Sequence, residues 1–106
     1  MTLEQLQRTT RLMQTRGIAE SCRTTAAFMY LQECLQQFFA GNYGTVPAED
    51  TEANNNELAA GCGRIVARYA AAAGLREDIY IIAYFDKDEL ESTDCNYTII
   101  EYVGEY

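Results

Sequence analysis

Cys22, Cys34, Cys62 and Cys95 are the side chains of this 106-residue sequence best suited to hold a metal. Four thiolates coordinate zinc tetrahedrally. Their spacings of 12, 28 and 33 residues include no C-x-x-C pair. Cys34 falls on an apolar helical stripe, where a free thiol buries as a small hydrophobe. Cys62, between two glycines, and Cys95, at a strand entrance, are better placed, because turns let a thiolate approach an ion. A structural zinc on these four is one expectation, and nothing else in the sequence calls for a cofactor. With no export signal at the start, disulfides are not expected.

The acids come next. Asp86-Lys87-Asp88 with Asp94 opens like a calcium loop. Such a loop needs Asp or Asn, Gly and Glu where Leu90, Glu91 and Tyr97 stand, so a solvated acidic loop is the better reading. Paired carboxylates can do acid–base chemistry. These lie on a loop and a helix start, away from the apolar neighbours that would raise a carboxyl pKa. Ser21 and Ser92 have no histidine base, because the chain contains no histidine. That absence removes Ser-His-Asp and Cys-His catalysis, the H-E-x-x-H zinc site and the two-His facial triad. The expectation is a protein that is not an enzyme.

Eight tyrosines remain, and tyrosine is enriched at binding hot spots. Tyr80, Tyr84 and Tyr102 are the candidates for an exposed aromatic face on a sheet. The competing reading packs them under helices with their hydroxyls at the rim.

The net charge of −8 is uneven. Residues 1–40 carry four arginines against three glutamates, whereas residues 41–106 carry four basic and thirteen acidic side chains. The last thirty residues hold nine acids and Lys87 as the one base. Such a surface repels a phosphate backbone and attracts a basic one. No apolar run reaches the roughly 18 residues of a membrane helix.

The elements that must position these residues are legible in part. Ala27, Tyr30, Leu31, Cys34, Leu35 and Phe38 form one apolar helical stripe, with a helix starting near Thr24 and Gly41 as its stop. A second helix is expected from Pro47, with Thr45 as N-cap, the acids Glu49, Asp50 and Glu52 near its positive end, and Gly61 and Gly63 at its close. Residues 1–16 fit helix or strand. Residues 64–73 set alternation, with Ile65, Ala67 and Tyr69 on one face, against the helix propensity of five alanines; the glycines upstream favour strand. Residues 78–85 are apolar on both faces, as in a central strand, and 97–103 form a last strand in an antiparallel hairpin with it. The expected fold is a single α+β domain over residues 1–106. It has an antiparallel sheet of about four strands, with two helices packed on one face.

Thr15-Arg16-Gly17, Gly41-Asn42-Tyr43-Gly44, Gly63-Arg64-Ile65-Val66-Ala67-Arg68-Tyr69, Ile79-Tyr80-Ile81-Ile82-Ala83-Tyr84-Phe85-Asp86 and the terminal Glu105-Tyr106 follow one another in an order that resembles a family of small acidic plasmid- and phage-related proteins of gut bacteria. In that family's pattern an aspartate and a tryptophan stand at Asn42 and Tyr43, and a proline precedes the final acids. The resemblance implies strands at about 9–14, 64–70, 78–86 and 96–103 and a mobile-element origin, without a reaction. In size, acidity and lack of catalytic residues the chain is similar to type II anti-CRISPR proteins.

The function expected is therefore binding and inhibition of a host defence enzyme, most concretely Cas9, in the bacterial cytoplasm. Asp86, Asp88, Glu89, Glu91 and Asp94 would occupy its basic nucleic-acid-binding surface, with Tyr80, Tyr84 and Tyr102 as anchors. No direct contact with nucleic acid or membrane is expected. The alternative is a zinc-stapled or metal-free accessory domain with an unrelated protein partner.

Overall fold

The computed structural model describes all 106 residues, which fold into helices around one four-stranded sheet. The chain runs α1 (Leu3–Thr9), β1 (Arg11–Gln14), α2 (Arg16–Ser21), α3 (Thr25–Phe39), α4 (Ala48–Ala60), β2 (Cys62–Tyr69), β3 (Ile79–Asp86) and β4 (Tyr97–Tyr102), then a 3-10 turn at Val103–Glu105. The strand order is β1-β4-β3-β2. The α+β class stands.

Two features depart from expectation. The sheet is mixed: β2–β3 and β3–β4 are antiparallel, but β1 lies parallel to β4. A parallel pair needs a long crossover, and here everything from α2 to β3 supplies it. The helices number four, not two. Leu6 of α1, Ile18 of α2 and the stripe of α3 pack on one face of the sheet, whereas α4 lies against β2. The ambiguous N-terminus is both things in turn, a capped helix whose Thr2 side chain accepts from Gln5, then a short strand.

The α3 stripe is buried as its spacing predicts, through Ala27, Leu31, Cys34, Leu35 and Phe38, and Thr24 is its N-cap. Its counterparts on the sheet are Ile65, Ala67 and Tyr69, then Ile79, Ile81, Ala83 and Phe85, then Ile100 and Tyr102. Each large apolar side chain so buried contributes about 1.5–3 kcal/mol. The strand reading of 64–69 holds, and the alanines that follow are irregular coil.

At α4 the expected N-cap fails. Pro47 holds that position with no side-chain bond. Thr45 instead pairs with the edge of β2, donating N–H to the Arg68 carbonyl at 2.8 Å, while the Arg68 N–H donates to Tyr43 O at 3.1 Å. Gly44 sits between them at φ +73°, where a Cβ would fall 2.0 Å from that same carbonyl, so only glycine fits. Gly61 ends α4 in the left-handed conformation, as expected.

Candidate functional site

The outer face of the sheet is set by strand alternation. Arg64, Val66 and Arg68 of β2 face the same way as Tyr84, Ile82 and Tyr80 of β3, their register partners. Those align in turn with Tyr97, Ile99 and Glu101 of β4. Tyr84 stacks on Tyr97 with centroids 4.8 Å apart and planes at 29°. Tyr80 meets Tyr106 edge-on at 5.5 Å.

Tyr102 does not belong to this face. It pairs with Ile79 on the core side, is fully buried, and its hydroxyl bonds Ser21 Oγ. The Arg76 guanidinium lies 4.1 Å from its ring centroid. A buried ring cannot anchor a partner, so Tyr102 is withdrawn from the candidate site. Tyr97 takes its place. It was missed because strand pairing, not local sequence, sets Tyr97 against Tyr84.

The acidic loop begins beside that stacked pair. Asp86 ends β3, and its N–H donates to Asn96 Oδ1 at 3.1 Å. The Asn96 amide donates to the Glu89 and Ser92 carbonyls. Asn96 is 1% exposed, so one buried carboxamide holds both ends of the loop. Asp86 Oδ1 in turn accepts from the Asp88 N–H at 2.9 Å. Lys87 is tied back to the end of α4 through its N–H on Gly61 O at 2.8 Å. Asp88, Glu89, Glu91 and Asp94 are exposed, Asp86 half-buried. The chain's three ion pairs are Arg8–Glu4, Arg16–Glu20 and Arg68–Asp78, so none of the five loop carboxylates has a cationic partner.

The four cysteines are all free and are not gathered at one point. Cys34 is buried in the core and burial pushes its thiol up. Cys22 is raised for the same reason. Cys62 is exposed at the start of β2. Cys95 donates to Glu89 Oε2 at 3.3 Å. A Ser92 hydrogen bond draws the Cys95 thiol down, but the Glu89 contact, desolvation and nearby Asp86 outweigh it and raise it. The four positions lie on separate elements and are not brought together, as their spacing without a C-x-x-C pair allows.

A groove of about 800 Å³ that the sequence did not announce runs between α4 and the outer sheet face. Val66, Tyr80 and Ile82 line it with Arg64 and Arg68, and Asp50 and Glu57 of α4 stand opposite. The Asp78 carboxylate is held below the usual carboxylate range, first by the Ala71 N–H and then by Arg68, which sits 3.0 Å away. Arg64 bonds the Tyr106 hydroxyl, and its ring lies 5.9 Å from the guanidinium carbon. Volumes of this order suit small ligands or a partner's side chains.

Fold and surface together define an α+β domain with a mixed four-stranded sheet, an acidic loop at one end and an aromatic outer face. No protein-family model, no curated protein and no solved structure matches the chain. No helix is long and apolar enough to cross a membrane.

Proposed function

We propose that this is a non-enzymatic binding protein of a mobile element that inhibits a bacterial nucleic-acid defence enzyme, Cas9 being the first target to test. The observation that carries the reading is the loop from Asp86 to Asp94. Its five carboxylates have no ion-pair partner, yet its backbone is tied down by buried Asn96. Carboxylates left without a cationic partner on an ordered loop are ready to meet a basic surface without first breaking an ion pair or ordering the chain. The stacked Tyr84–Tyr97 pair beside the loop supplies rigid aromatic area at low entropic expense. The mobile-element origin and the cytoplasmic setting rest on the sequence resemblance.

The test is cleavage of a guide-matched DNA by Cas9 with and without the purified protein. Inhibition that weakens with added salt supports the reading. Full cleavage at large molar excess removes Cas9 as the target, and a pull-down from a host carrying other defence systems then tests the wider class.

The accessory binding domain with an unrelated protein partner is a second reading, favoured by the groove under α4. Amide shift changes confined to Asp50, Glu57, Arg64 and Tyr80 on adding a partner would select it over the loop.

A further inference from the structure

We propose that a second copy of this chain docks antiparallel on the free edge of β1, joining two four-stranded sheets into one of eight strands. At the β2 end of the sheet the edge is closed: Tyr43, Thr45 and the Asn54 side chain occupy the backbone groups of Arg68 and Val66. At the β1 end it is open. Arg11 and Thr15 donate their N–H groups inward to Asn96 O and Ile100 O, at 3.2 and 3.1 Å. Alternation then turns the peptide groups of Leu12 and Gln14 outward. All four residues of β1 are exposed. An open edge with apolar side chains is a template for another strand.

The flanking surface is apolar. Leu12 is 52% exposed and Phe28, on α3, is 51% exposed. A groove of about 330 Å³ lies between β1 and α3, lined by Leu12, Met13, Cys22, Phe28, Leu31 and Leu35 among others. A two-fold axis at Met13 sets Leu12 of each copy opposite Gln14 of the other, so the outward peptide groups pair reciprocally. The Leu12 side chain of each copy then falls over the other's groove, and the two Met13 side chains meet at the axis.

Charge selects the second copy and its direction. β1 begins where the acidic loop ends, since Arg11 bonds Asn96. It finishes beside Cys22, which contacts Gln14, and the next residue is Arg23, an exposed arginine with no ion-pair partner. Antiparallel docking places the acidic loop of each copy at the Arg23 end of the other, twice over by symmetry. Parallel docking would set loop against loop.

Sedimentation velocity on the full chain over a concentration series tests this. The expected result is a species of twice 11.9 kDa. A single 11.9 kDa species up to the solubility limit overturns the proposal. Met13→Lys sets two ammonium groups face to face and should give monomer with an unchanged circular dichroism spectrum. Gln14→Pro removes an outward N–H without touching the β1–β4 ladder and should do the same. Retention of the dimer in both variants overturns the β1 interface. Arg23→Glu should weaken dimerisation about tenfold, counting two reversed contacts per dimer, and Asp94→Lys added to it should restore the dimer. No loss with Arg23→Glu, or no restoration by the pair, overturns the antiparallel arrangement.

Discussion

Asn54 and Val66 bond each other twice. The Asn54 carboxamide donates to Val66 O at 2.9 Å and accepts from Val66 N at 3.0 Å. A side chain from α4 thereby takes the place of a peptide group on a fifth strand and closes the β2 edge. Asn54 is 3% exposed, so both bonds are shielded from water.

Asn54→Ala should therefore destabilise the fold by about 2–4 kcal/mol, because it orphans a donor and an acceptor together. Urea unfolding should show a lower midpoint with an unchanged slope. A midpoint shift no larger than that of an exposed substitution such as Asn55→Ala would mean that water replaces the carboxamide.

Asn96→Ala tests the loop without changing any charge. The Asp86 N–H loses its partner, and the Glu89 and Ser92 carbonyls each lose the side-chain donor while keeping a backbone one. Amide exchange over residues 87–95 should accelerate selectively, and affinity for a basic partner should fall although every carboxylate remains. Equal affinity would show that ordering of the loop is irrelevant to binding.

The tyrosines divide by face. Tyr102→Ala should cost about 3–5 kcal/mol as a large-to-small change in the core. Tyr84→Ala, which removes one half-buried member of the stack on Tyr97, should cost less stability and more partner affinity. Thermal melts and inhibition titrations on the two variants separate the roles.

Two carboxyls predict opposite pH effects. The Ala71 N–H and Arg68 lower Asp78, so its folded value lies below its unfolded one. Its contribution is present above the unfolded value and is lost as pH falls through the folded one. Asp78→Asn should flatten the acid limb of the stability curve. Burial, and then nearby Glu105, raise Glu101. Its favourable contribution is present below the unfolded value and is lost as pH rises through the folded one. Glu101→Gln should stabilise at neutral pH and do little in acid. Melting temperatures across that range check both signs.

Local pattern determined much of the architecture. The α3 stripe, its start near Thr24, the stops at Gly41 and Gly61 and the central strand at 79–86 all follow from periodicity and turn chemistry acting over a few residues. The clustering of acids after Asp86 is likewise a fact of sequence, as is the shared face of Tyr80 and Tyr84, two turns of a period-two pattern. What only the tertiary structure decided is whatever depends on which strands meet. The register of β4 against β3 sent Tyr102 into the core and Tyr97 to the outer face. The pairing of β1 with β4 made the sheet mixed. Asn54, in a run of three poor helix formers inside a helix, finds its partner in Val66, 12 residues on. The buried carboxamides of Asn54 and Asn96 are satisfied by backbone groups that neither local propensity nor hydrophobic period specifies. A buried polar group must find a partner, and only the packed chain determines which.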